Sequence, residues 1–255
     1  VPGEGGVSFS RLGEGLSYDG RFIGFWGAWG TETKTVRLYC PEEGNQDRRD
    51  FCNNAGEFEL TGDPNSICDD ETDDTDRCYQ EREVPVNQGI FAYDSFNGSL
   101  QLLARTDDFD DFLYWNYSGM PPGAGESDET AEPPRWRSSA FVAISAGGMP
   151  TVLRVAFLAR TGAIDPMTNL YVDPVDGVYI TTNEVDSTIE PLVETGMPGT
   201  LLDPQAVWDD DENPTTPEVP LPITSLGLER DGFRGEWLTI SASMGVEEAG
   251  WAGLY

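Results

Sequence analysis

Acidic side chains are the groups in this sequence best suited to chemistry. Three acidic clusters span residues 69–76, 107–111 and 209–212. Calcium binds several hard oxygen ligands from loops of this kind, although none of the three has the spacing of an EF-hand loop. The predicted calcium ligands are the carboxylates of two clusters: Asp107, Asp108, Asp110, Asp111, Asp69, Asp70, Asp73, Asp74 and Asp76. A solvated acidic loop is the alternative for each cluster.

The absence of histidine narrows the possible catalytic chemistry. It excludes Ser-His-Asp and Cys-His mechanisms and imidazole metal sites. Carboxylate pairs remain, and Asp19, Asp94 and Glu236 lie near predicted strands from which two acids could flank a glycosidic bond. Because so acidic a chain produces such pairs by chance, a non-enzymatic protein is the favoured hypothesis. A carboxylate-based carbohydrate-active enzyme, a glycoside hydrolase, is the alternative.

The charge balance limits the partners of the protein. The 46 Asp and Glu against 15 Lys and Arg give a net charge of −31, which disfavours nucleic acid and anionic membranes. No apolar run is long enough to insert into a bilayer. The expected partners are further copies of the chain in a homo-oligomer or polymer, a glycan, or a surface protein.

The four cysteines, Cys40, Cys52, Cys68 and Cys78, predict disulfides. Their spacings are too wide and irregular for paired zinc-binding C-x-x-C motifs, and the sequence leaves the pairing open. Disulfides persist in oxidising compartments, and a start at Val1 fits the removal of a signal peptide. The sequence therefore predicts a secreted protein that is extracellular or at the cell surface.

The elements that must position these groups follow a repeated pattern. Three segments align without gaps, Arg21–Gly30, Leu153–Gly162 and Glu236–Gly245, and each reads as an apolar strand ending in glycine. Further along the chain, each segment is followed by a step of a glycine, an aliphatic residue and an aromatic residue. The three steps end at Phe91, Tyr179 and Tyr255. In all three cases the aligned segment comes first and the Gly-aliphatic-aromatic step follows it.

Further strands complete the pattern. One precedes each aligned segment, at residues 15–18, 140–144 and 224–228, and another follows the first two glycine steps, at residues 100–103 and 189–193. We call the four strands of such a unit a, b, c and d in chain order. Four antiparallel strands are the content of a propeller blade. We therefore expect an all-β, propeller-like array of about three four-stranded antiparallel units with long loop insertions.

The units divide the chain unequally within one predicted domain, residues 1–255. Unit one covers residues 1–123 with a disulfide-bearing insertion at 40–86, unit two covers 124–199, and unit three covers 200–255 and lacks a fourth strand of its own. Three explanations are open for the incomplete unit: a fragment of a longer array, an open three-unit assembly, or an edge completed by a neighbouring subunit.

Two short stretches carry a family resemblance. The run Ser17–Phe25 resembles the strand–turn–strand signature of TolB-like, WD-type β-propellers, with a serine, an Asp-Gly turn and an apolar strand. The segment Arg154–Phe157 and the Gly-aliphatic-aromatic step resemble secreted bacterial tandem-repeat proteins with an N-x-x-G-x-x-A-F motif. The resemblance implies a repeat scaffold and no catalytic residue, since these families share no single activity.

Taken together, these features predict a secreted, non-enzymatic interaction or self-assembling surface protein that calcium stabilises. Most of the seven tryptophans are expected in the core, because they fall on or beside predicted strands. Trp115 and Trp208 are the two expected to be exposed.

Overall fold

Strands make up nearly all of the regular structure in the computed structural model. The model describes residues 1–39, 79–108, 112–118, 135–138, 142–147, 151–167, 169, 171–208, 218–245 and 251–255. The strands are β1 Phe9–Tyr18, β2 Phe22–Tyr39, β3 Tyr79–Asp94, β4 Ser99–Arg105, β5 Trp115–Ser118, β6 Arg135–Ser138, β7 Val142–Gly147, β8 Val152–Ile164, β9 Tyr171–Thr182, β10 Glu190–Glu194, β11 Val207–Trp208, β12 Val219–Pro220, β13 Ile223–Arg234, β14 Trp237–Met244 and β15 Trp251–Leu254. One turn of 3-10 helix covers Gly199–Leu201. The prediction of an all-β chain is confirmed.

Three antiparallel sheets follow one another along the chain. The first sheet has the order β1-β2-β3-β4, the second β7-β8-β9-β10 and the third β13-β14-β15. The pairs β5-β6 and β11-β12 are separate two-stranded ribbons. Within the described ranges, no helix is long and apolar enough to cross a bilayer.

The strands expected from the sequence lie in these sheets. The three aligned segments fall almost entirely in β2, β8 and β14, and the Gly-aliphatic-aromatic steps fall in β3, β9 and at the end of β15. The described parts of the predicted a strands lie in β1, β7 and β13. The predicted d strands lie almost entirely in β4 and β10.

The second and third strands of each sheet pair in the same register. Phe25 and Phe157 occupy the same position of their aligned segments. Phe25 pairs with Phe91, and Phe157 pairs with Tyr179. At that position of the third sheet, Ile240 exchanges two backbone hydrogen bonds with Tyr255, at 2.9 and 2.8 Å.

Two residues further along, each of β2, β8 and β14 pairs with a glycine of the adjacent strand. These glycines are Gly89 in β3, Gly177 in β9 and Gly253 in β15. In the last two sheets the tyrosine two residues on lies over this glycine. A Cβ at Gly177 would sit 2.7 Å from the ring of Tyr179, and one at Gly253 would sit 2.7 Å from the hydroxyl of Tyr255.

The second sheet lies between the other two. Along β8, Val155, Phe157 and Ala159 belong to a core cluster shared with the first sheet, which includes Trp26 and Ile90. The alternate residues Ala156 and Leu158 belong to a second cluster shared with the third sheet, which includes residues 226, 228 and 240. Because side chains of a strand alternate between its faces, β8 is apolar on both, which explains its continuous apolar run.

The first strands of the three sheets meet at Ser17. Strand β7 packs against both β1 and β13. The buried Ser17 hydroxyl donates to the carbonyl oxygen of Arg230 at 2.6 Å and accepts from the backbone N–H of Ile144 at 3.2 Å. One side chain thus joins all three sheets.

A glycine brings β2 close to β7. A Cβ at Gly24 would overlap the side chain of Ile144 and would lie 3.2 Å from Val142. The absent side chain at this position allows the first sheet to pack directly on the second.

We predict that Ser17→Ala lowers the free energy of unfolding by about 1–3 kcal/mol, because a buried N–H and a buried carbonyl lose their partner. Urea unfolding followed by tryptophan fluorescence measures the change. Ser99→Ala, at an exposed position of β4, is the matched control and should change stability little. Equal effects of the two substitutions would contradict the role of Ser17 as a junction.

We predict that Gly24→Ala destabilises the protein by about 1–3 kcal/mol through overpacking against Ile144. Gly147→Ala in β7 is the control, since a Cβ there meets nothing within 4 Å. Thermal unfolding of both variants checks the prediction. A Gly24→Ala protein as stable as the control would show that β2 and β7 can separate without cost.

Candidate interaction surfaces

The outer edge of β15 differs from the equivalent edges of the other two sheets. Strand β3 lies between β2 and β4, and β9 lies between β8 and β10. Strand β15 pairs with β14 alone in the part of the chain that the structure describes. The third sheet therefore presents a strand edge at the place where the first two sheets carry a fourth strand.

The backbone groups on this edge can be assigned from the pairing with β14. Tyr255 directs its N–H and carbonyl oxygen to Ile240, and in an antiparallel pair these directions alternate along the strand. The N–H and carbonyl groups of Leu254 and Ala252 therefore point away from β14. Leu254 is 72% exposed.

The outer face of the first sheet is an apolar surface. Phe25 and Phe91 stack there with their ring centroids 5.6 Å apart, and Phe9 packs edge-on against both. Phe91 is fully buried in this group, and Phe9 and Phe25 are half-buried. Beside them Leu16 is 54% exposed and Tyr18 is 50% exposed. Exposed apolar patches of this kind mark interaction sites in many proteins.

The second sheet shows how such a face is normally covered. Val142 and Ile144 pair with β8 at the positions where Leu16 and Tyr18 pair with β2. Both residues are fully buried against the first sheet. The outer face of the first sheet has the same pairing but no sheet packed upon it among the described residues.

The acidic cluster after β4 is described only in part. The carboxylate of Asp107 lies 3.2 Å from the Nε of Arg105, and Asp108 accepts the backbone N–H of Arg105 at 2.7 Å. The described residues hold no group of three or more possible metal ligands. Asp110, Asp111, the cluster at 69–76 and the four cysteines lie outside the described residues. Calcium binding and disulfides stay predictions.

Tyr114 is a buried neighbour of this cluster. Its hydroxyl finds no hydrogen-bond partner among the described residues. Burial raises the pKa of Tyr114, and the charges of Asp108 and Asp107 raise it further. The phenol therefore stays protonated beside the carboxylates.

The acids considered for glycoside hydrolysis take part in turn and ion-pair contacts. Asp19 accepts the backbone N–H groups of Arg21 and Phe22 at 3.0 and 2.8 Å, which closes the turn between β1 and β2. Asp94 accepts the Nε–H of Arg21 at 2.9 Å, and this guanidinium lowers the pKa of Asp94. A general acid needs the opposite shift.

Glu236, the third of these acids, lies in the turn between β13 and β14. Its carboxylate is 3.9 Å from the guanidinium of Arg154 on β8. The backbone of the neighbouring Gly235 binds the same arginine and donates to Ser145 at 2.8 Å. This turn docks the third sheet onto the second, which is a structural role.

A polar cluster on the second sheet was missed by sequence reasoning. Arg160 donates twice to the carboxylate of Asp176, both at 2.7 Å, and its side chain is largely buried. Nearby, the Tyr179 hydroxyl donates to Glu194 at 2.8 Å, and burial raises the pKa of Tyr179. The register shared by the sheets could have revealed the first pair, since Asp176 precedes Gly177 and faces Arg160.

The tryptophans divide between core and surface. Trp26 and Trp29 are buried, as predicted, and Trp208 is exposed, as predicted. Trp237 is 83% exposed, so its placement in the core was wrong. It points to the face of β14 opposite the buried Ile240, and that face has no sheet packed on it among the described residues. The side chain of Trp115 lies outside the description.

No protein-family model, curated protein or solved structure matches this chain.

We predict that calcium raises the melting temperature by roughly 3 °C or more over sodium at equal ionic strength. The measurement is differential scanning fluorimetry. In Asp107→Asn with Asp108→Asn this calcium increment should shrink, because two of the predicted ligands are lost. Glu184→Gln with Asp186→Asn, in an exposed turn between β9 and β10, is the control pair. An equal increment in both double variants would place calcium elsewhere.

Proposed function

We propose that this chain is a secreted, non-enzymatic interaction or self-assembling module of the cell exterior, and that the open edge of β15 is its binding element. The observation that carries the proposal is that β15 pairs with β14 alone among the described residues, whereas β3 and β9 are flanked on both sides. An unpaired edge is a template for strand addition, since its N–H and carbonyl groups are aligned to bind another strand.

We infer further that the three sheets are copies of one repeated unit, arranged like adjoining blades of a propeller. Three observations support this: the common register of b and c, the face-to-face stacking of successive sheets, and the meeting of their first strands at Ser17. The resemblance to TolB-like propellers agrees with such an array. Closed propellers contain roughly four to eight blades, so the three sheets are fewer than a closed ring requires.

The composition supports a place outside the cell. A net charge of −31 keeps the surface hydrated and repels nucleic acid and anionic membranes. Against this acidic background an uncharged strand edge offers directional hydrogen bonds without charge repulsion. Backbone pairing therefore suits association between chains that repel each other over longer distances, and calcium bound by the acidic loops would reduce that repulsion.

We predict that the protein self-associates through β15 and that Leu254→Pro weakens the association by at least about tenfold, because proline removes the outward N–H. Proline is tolerated on an edge when its nitrogen faces away from the neighbouring strand, so β14 keeps its bonds to β15. Leu254→Ala keeps the N–H and is the matched control. Sedimentation equilibrium over a range of protein concentrations gives the association constants.

A strictly monomeric protein at every concentration would count against self-assembly. Leu12 is 61% exposed and pairs with β2 on the same face as Leu16. Association that survives Leu254→Pro, and disappears when Leu12 and Leu16 are changed to Ser, would move the interface to the apolar face of the first sheet.

A further inference from the structure

The proposed function leaves open what the β15 edge binds. The fourth strands of the first two sheets show which kind of segment pairs with the equivalent edges of β3 and β9. Resting on that proposal, we infer that the edge binds an extended segment of a partner polypeptide with the pattern shared by β4 and β10. The pattern runs polar, apolar, leucine, small or branched apolar, charged, threonine. Residues 101–106 have the sequence QLLART, and residues 190–195 have the sequence EPLVET.

The two fourth strands pair with their neighbours in one register. Opposite the aliphatic residue of the glycine step lies a compact apolar residue, Ala104 facing Ile90 and Val193 facing Val178. Opposite the glycine itself lies a charged residue, Arg105 in the first sheet and Glu194 in the second.

Both strands also contain an irregularity at the same place. The pairing passes from Ala104 to Leu102 and from Val193 to Pro191, so one leucine is skipped each time. A bulge of this kind twists the strand and fixes its register. Its recurrence indicates that the outer edge of strand c selects one alignment of the added strand.

The threonine that ends the pattern closes the pairing in both sheets. Thr106 donates its N–H to the carbonyl oxygen of Gln88 at 3.2 Å, and Thr195 donates to that of Asp176 at 2.8 Å. In the second sheet the Thr195 hydroxyl also accepts the N–H of Asp176 at 3.1 Å. Each acceptor directly precedes the glycine of strand c.

At the same positions of β15, the outward backbone groups have no partner among the described residues. Ala252 precedes Gly253 as Gln88 precedes Gly89, and its outward carbonyl and N–H are set to bind the threonine of the added segment. Leu254 stands where Ile90 and Val178 stand, so the compact apolar residue would pack beside its exposed side chain. The segment would run antiparallel to β15 with its bulge opposite Leu254 and Tyr255.

A nine-residue peptide tests the inference on the whole chain. The peptide copies residues 99–107, SLQLLARTD, and hydrogen exchange reports the amides of Ala252 and Leu254. A dissociation constant of about 0.1 mM would slow their exchange about tenfold at about 1 mM peptide. The control peptide has the residues copied from Ala104 and Thr106 changed to Asp and Ala, and it should give no protection.

A linked version guards against an affinity too weak to detect in a free peptide. Residues 180–196 are joined after Tyr255, so that the hairpin that follows Tyr179 is copied onto the third sheet at a raised effective concentration. Protection of both amides is expected, and the same extension with the copies of Val193 and Thr195 changed to Asp and Ala should not give it.

The outcomes separate this inference from the proposed function. Equal protection by matched and altered segments would overturn the pattern while leaving the edge as a binding element. No protection in either format would overturn the pattern and the edge together. Undiminished protection of the Ala252 amide in Leu254→Pro, which has no amide at position 254, would overturn the proposed register, because that register uses the outward N–H of Leu254.

Discussion

The pairing register between the second and third strands determines which side chains each sheet directs toward its neighbours. Successive residues of a strand face opposite sides, so a slip of one residue would exchange the two faces. The second sheet tolerates no such exchange, because Phe157 packs toward the first sheet and Leu158 toward the third. The stacking of the three sheets depends on this alignment.

The glycine of strand c has a defined place in that alignment. In the second and third sheets the tyrosine two residues later lies across it, and a side chain at the glycine would collide with the ring. In the first sheet the crowding at Gly89 comes instead from Leu102 and the backbone of Ala104 on β4. One sequence signature thus has two packing reasons: a ring of the same strand in the second and third sheets, and the neighbouring strand β4 in the first.

Stacking also explains where the exposed surfaces lie. The inner faces of the first and third sheets are buried by the second sheet, while their outer faces carry exposed groups such as Leu16 and Trp237. Several acidic side chains engage backbone N–H groups or arginines at turns, as Asp19, Asp94 and Asp108 do. Among the described residues, the exposed features that stand out are therefore an apolar face and a strand edge.

The sequence by itself determined the all-β class and the places of the main strands. Apolar runs of strand length ending in glycine, and the recurring glycine-aromatic step, are local signals that survive any rearrangement of the long insertions. The recurrence also indicated equivalent positions for Phe25, Phe157 and Ile240, whose backbones pair alike in the structure. These features could be predicted because each is decided by a few neighbouring residues.

Only the tertiary structure decided which distant residues meet. Ser17 binds Arg230 across 213 positions of the chain, and no local pattern marks it as the junction of three sheets. The exposure of Trp237 was equally hidden, because an aromatic strand residue reads as core until the face it occupies is known. Burial depends on which sheet lies opposite, and that is set by packing between segments that are remote in the sequence.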